Sequence, residues 1–119
     1  MTEKIDYGST RTVTNIYEAE FLPYDMEGTV QDDMSYIPLT INKDGNQMGA
    51  YVIRMEPGAE TIAHTHRWNE DYLILEGDLI EPDGRVLGPG DFVHYDQGTY
   101  HNSRTETGCF LIGVDWGKS

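Results

Sequence analysis

His64 and His66, followed by Glu70 and later by His101, are the residues whose types and spacing could do chemistry in this chain. On a β-strand alternate side chains share a face, so His64 and His66 would point the same way and take two neighbouring positions around one metal ion. Neutral imidazole suits iron, zinc, nickel and copper, while a carboxylate adds charge and hardness. Glu70 and His101 would complete a set of three nitrogens and one oxygen, leaving room on the ion for water or substrate. The same four residues are the expected catalytic group, acting through the metal.

The spacing from Gly58 to Gly77 is Gly-x5-His-x-His-x3-Glu-x6-Gly, and every required position is met. That run resembles the first signature of the cupin superfamily. A second cupin signature, Gly-x5-Pro-x-Gly-x2-His-x3-Asn, is matched at Gly90, Gly98 and His101, with Asp96 in place of the proline and Thr105 in place of the asparagine. Neither departure touches an expected ligand. The stretches Glu76-Gly-Asp78, Pro82-Asp-Gly84 and Thr107-Gly-Cys109 are similar to cupins fused to ChrR-like anti-sigma factors and to small diketone- and acetophenone-cleaving dioxygenases. The likeness runs from about Tyr51 to Asp115. It implies an all-β jelly-roll barrel, the double-stranded β-helix of cupins, with the ligands inside and one mouth open.

The elements that must position these residues read as short extended stretches separated by turn signals. Strands are expected over residues 36–41, 48–55, 61–66, 71–76, 78–81, 85–87, 92–95, 100–104 and 109–115, with turns at 42–45, 56–58, 81–84 and 88–90. A strand beginning near Glu70 turns that residue inward with Tyr72 and Ile74, and Asp71 outward with Leu73 and Leu75. An inward glutamate in an apolar barrel is costly to ionise without a cation, and metal binding removes that cost. Residues 1–35 are expected to be an arm packed on the barrel, and residues 36–119 the cupin domain. Within the arm, a helical turn capped by Asn15 and an edge strand over residues 11–16 fit equally well. By resemblance the arm would pair with a second subunit in a homodimer.

Other polar and aromatic residues have weaker claims. His94 matches no ligand position and is expected at the surface or beside the ligands. Trp68, between His66 and Glu70, could shape the mouth, and together with Tyr72, Tyr100 and Arg104 it is a substrate-binding candidate, with Ser103 and Arg54 as further groups able to orient a polar molecule. Cys109 heads an apolar run and reads as a buried hydrophobe.

With 119 residues the chain is expected to form one core. Its 8 basic and 21 acidic residues give a net charge of −13, which argues against nucleic acid and an anionic membrane as partners. No apolar run approaches the roughly 20 residues of a membrane helix, and the first residues do not read as a secretion signal, so a cytoplasmic location is expected.

The resemblance and the ligand set imply a metal-dependent enzyme acting on a small oxygen-rich molecule, with a dioxygenase using Fe(II) on a diketone or hydroxyketone as the first expectation. Zinc, manganese or nickel would instead suit an isomerase or lyase. The other alternative is a non-catalytic sensor or small-molecule-binding cupin like the ChrR regulators. Against it, the chain is too short for their helical sigma-binding domain.

Overall fold

The computed structural model describes residues 7–42 and 47–117. One helical turn, α1 (Tyr7–Thr10), precedes ten strands: β1 (Leu22–Tyr24), β2 (Gln31–Pro38), β3 (Gly49–Met55), β4 (His64–Thr65), β5 (Asn69–Gly77), β6 (Leu79–Ile80), β7 (Val86–Leu87), β8 (Phe92–Tyr95), β9 (Tyr100–His101) and β10 (Cys109–Trp116). Six of them make an antiparallel sheet in the order β1-β2-β3-β10-β5-β8, so the last strand lies between β3 and β5. The pairs β4-β9 and β6-β7, tied together by bridges from Arg104 to Glu60 and Ile80, supply the second layer. This is the all-β cupin jelly roll.

Alternation decides what fills the space between the layers. In β5, Tyr72 and Ile74 are buried while Leu73 and Leu75 are only partly covered. Met34, Met55, Leu79, Leu87 and Leu111 meet Tyr72 and Ile74 in the inner core. The other face of the large sheet carries Val52, Phe110 and Ile112, over which Ile16, Ala19 and Phe21 pack. The Arg54 guanidinium sits 3.9 Å from the centre of the Phe21 ring, closing that cover.

Between the two openings left by the sequence, the chain near residue 15 takes the turn. Asn15 Oδ1 accepts from Tyr17 N at 2.9 Å and Asn15 O accepts from Ala19 N at 2.9 Å. β2 begins at Gln31, ahead of the expected residue 36, because Met34 and Ser35 pair with Met55 and Arg54 and Tyr36 pairs with Leu22. A polar stretch that reads as loop locally is thus drawn into the sheet by partners on both sides. The turn expected at 42–45 falls largely on residues outside those described, whereas the one at 81–84 is closed by Gly84 N donating to Glu81 O at 2.9 Å. Gly77 ends β5 with φ 82°, and a Cβ there would lie 1.9 Å from Gly108 O. Only glycine fits that crossing.

Candidate metal centre

Three histidines converge because two short strands pair in one register. His64 on β4 lies opposite His101 on β9, and His66 is fixed two residues on by donating its N to Thr99 O at 2.8 Å while its carbonyl accepts from Gly98 N at 2.9 Å. Their ligand atoms all lie within 4.8 Å of one another. His66 and His101 are buried, with their Nε2 atoms 2.7 Å apart. Burial, then the neighbouring His101 and His64, pushes the His66 imidazole down to about 4, so it is neutral at pH 7.

The large sheet brings carboxylates to the same point. Glu70 Oε1 is 3.5 Å from His66 Nε2, and β10 places Asp115 directly opposite Glu70 in the ladder. The Tyr51 hydroxyl lies 2.8 Å from Glu70 Oε2 and 2.9 Å from Asp115 Oδ1. A hydroxyl has one proton, so with both contacts made as hydrogen bonds one carboxyl carries a proton of its own. The electrostatics agree: burial raises Glu70, and burial with the Glu70 charge pushes Asp115 up to about 7. Tyr51 reaches both groups by lying over Gly113, where a Cβ would be 2.7 Å from its ring.

Hydrogen bonds set the imidazole tautomers. His64 Nδ1 is 2.7 Å from Ile62 O, which makes that nitrogen the donor and leaves Nε2 with a free lone pair. His101 Nδ1 lies 3.2 Å from Glu81 Oε2, which also accepts from Ser103 Oγ at 2.7 Å, and Tyr72 donates to Glu81 Oε1. Burial pushes the Glu81 carboxyl up, but the bonds from His101, Tyr72 and Ser103 together outweigh it and hold it below the usual range. An ionised carboxylate behind an imidazole fixes its orientation and raises its basicity towards a metal.

These donors fit a divalent transition ion. His66 Nδ1 is buried without a hydrogen-bond partner, while His66 Nε2 faces His101 Nε2, whose lone pair is free when Nδ1 donates to Glu81. Two facing imine nitrogens repel unless a proton or a cation lies between them, and a cation also offsets the charge of Glu70.

The other expected residues divide by strand parity. Trp68, Tyr72 and Ser103 line a cavity of about 440 Å³ together with the three histidines, Glu70, Tyr51 and Asp115. Tyr100 and Arg104 are exposed and lie outside that lining, since they alternate with the inward His101, Ser103 and Thr105. Arg104 pairs instead with Glu106 at 3.3 Å. His94 faces outward between Asp71 and Asp96, beside Trp116, and is no part of the histidine cluster. Arg54 serves the outer face. Sequence reasoning passed over Tyr51, Glu81 and Asp115; for the last two, parity with Leu79 and with Leu111 was the available signal.

A family described as the ChrR Cupin-like domain matches residues 9–117. A dimethylsulfoniopropionate lyase, DddQ of Ruegeria pomeroyi, is 37% identical over 75 residues, covering 60% of this chain and 37% of the relative; the chain thus spans little more than a third of that protein. The acetylacetone dioxygenase of Acinetobacter johnsonii shares the fold with a TM-score of 0.75 at 11% identity, over 98% of this chain and 81% of that one. The anti-sigma ChrR, in its complex with SigE from Rhodobacter sphaeroides, gives a TM-score of 0.68 at 19% identity, over 86% of this chain and 52% of that one.

Proposed function

The chain belongs to the ChrR cupin-like family, and from that premise we propose that it is a metal-dependent enzyme that eliminates a leaving group from a small carboxylate held in the cavity. One observation carries the reading: Asp115, a carboxyl lining the cavity, lies directly across from Glu70 and shares with it the Tyr51 hydroxyl, 2.9 Å from Asp115 Oδ1. A carboxyl held beside the ligands in this way is placed to take a proton from a molecule in the cavity and to return it.

His64, His66, His101 and Glu70 hold the ion in this reading. Fe(II), Zn, Mn or Ni bound there would supply Lewis acidity, polarising a carboxylate oxygen and making the neighbouring C–H more acidic. Asp115 accepts that proton, the C–H electron pair becomes the new double bond, and the leaving group departs with its own bonding pair. No oxidant enters the balance. Tyr51 holds Glu70 and Asp115 at fixed separation, and Trp68 shields the site from water. The relative with a lyase name supports this chemistry by sequence. Oxidative cleavage of a diketone or hydroxyketone, the first expectation from the motifs, is supported by fold likeness alone. The homodimer implied by the resemblance belongs to the same proposal.

Iron-loaded and zinc-loaded protein, incubated with dimethylsulfoniopropionate and separately with acetylacetone in an oxygen electrode, tests the reading. Acrylate is expected without oxygen uptake with either ion, and not in an Asp115→Asn variant that keeps its metal. Oxygen consumed in proportion to product, and with iron alone, would replace the lyase with a dioxygenase; saturable binding without product would leave a binding module.

A further inference from the structure

The cavity extends well beyond the proposed metal centre, and strand register gives its depth. Inward residues of the large sheet fall into levels: Glu70 opposite Asp115, Tyr72 and Tyr51 opposite Gly113, Ile74 and Ile53 opposite Leu111, then Met34 and Cys109 opposite Met55. Four residues of antiparallel strand separate Asp115 from Leu111, about 13 Å along the barrel. Both nevertheless line the same space, together with Ile53, Met55 and Met34. Ile53 faces inward between Tyr51 and Met55, which are buried, yet is itself only half-buried. Its open surface therefore lies on the cavity, beside unfilled room.

The inner levels differ in kind from the level of the carboxylates. Met34, Ile53, Met55 and Leu111 present only alkyl and thioether groups to the space they line. Thr61 and Ser103 also line it, but their hydroxyls already donate to Ser103 O and to Glu81 Oε2, and Tyr72 donates to Glu81 Oε1. A recess walled in this way suits hydrocarbon better than water, and the two methionines can adapt their shape to it. At about 440 Å³ the cavity is in the range of roughly 300–1,000 Å³ that encloses molecules much larger than a three-carbon acid. Resting on the proposed use of this cavity for a carboxylate, we infer that the preferred substrate carries an apolar tail, an alkyl chain or a ring, that runs from the metal past Tyr72 to Ile53 and Leu111. Ile53 is then a specificity-determining residue.

Calorimetric titration of the zinc-loaded protein with propanoate, butanoate and hexanoate tests it. Affinity is expected to rise roughly threefold for each methylene added, as the chain leaves water for the recess. Ile53→Phe, which fills the room beside that residue, and Leu111→Phe, which narrows it from the neighbouring strand, should each cancel the gain for hexanoate while propanoate affinity and metal content stay as in the parent. Equal affinity for the three acids overturns the inference, as does binding of none at millimolar concentration, or a hexanoate preference that survives in whichever of the two variants folds. Failure of the elimination reading is separate: these saturated acids have no leaving group, so the chain-length preference would persist while dimethylsulfoniopropionate gave no acrylate.

Discussion

Asp115 and His66 change protonation in opposite senses on folding, and both border the same site. In the metal-free folded chain burial and the Glu70 charge hold Asp115's proton up to about 7, whereas unfolded aspartate releases it near 4. Its contribution is therefore present at low pH and is lost as pH rises through about 7. His66, pushed down to about 4 by burial and its neighbours, is neutral when folded but takes a proton near 6.5 when unfolded. Its contribution, on the order of 3 kcal/mol, is complete above about 6.5 and is lost as pH falls towards about 4. Asp115→Asn removes the compensating group, so the metal-free variant should lose stability on acidification more steeply than the parent. Urea unfolding across this range checks it; parallel curves would mean that the two groups are not placed as described. The clustered histidines are legible as residues because their spacing is local, but Tyr51 and Asp115 become partners only through a register that joins distant strands.

At the scale of elements, the short pairs β4-β9 and β6-β7 hold the histidines and Glu81, while β3, β5 and β10 carry Tyr51, Glu70 and Asp115. Turn chemistry and period-two alternation mark most strands in the sequence itself, including the inward face of Glu70. They miss β1 and the start of β2, since Gln31-Asp-Asp33 offers no alternation and is extended because Tyr24 of β1 pairs with Gln31 and Asp33 O accepts from Glu56 N at 2.9 Å. Two glycine substitutions probe the crossings that align the site. Gly77→Ala must push its Cβ into the Gly108 carbonyl and hold a left-handed backbone, for an expected loss of roughly 3 kcal/mol or more. Gly113→Ala meets the Tyr51 side chain first, rather than backbone, so the loss should be smaller, about 1–3 kcal/mol, and accompanied by weaker metal binding as the hydroxyl leaves its carboxylates. Denaturant midpoints and metal affinity measured together separate the two outcomes; unchanged metal affinity in Gly113→Ala would show that Tyr51 does not organise the site.

The whole molecule is a strongly acidic jelly roll whose cavity concentrates most of its buried polar groups, and among the described residues no helix is long and apolar enough to cross a membrane. Residues 16–21 pack over the large sheet of their own barrel, yet Phe92, Val114 and Trp116 remain exposed on the protein surface. If the proposed homodimer forms, sedimentation should give twice the chain mass at micromolar concentration, and removal of residues 1–14 should weaken association more than folding; a monomer at that concentration contradicts it. The central claim is that one ion is held by the histidine cluster, with Glu70 as the fourth donor. Elemental analysis of protein purified without added metal, beside a His66→Ala, His101→Ala double variant, tests it most directly. The account predicts close to one equivalent of a divalent transition ion in the parent and almost none in the variant, while His94→Ala keeps its full content. A double variant that folds and still carries a full equivalent would contradict the site.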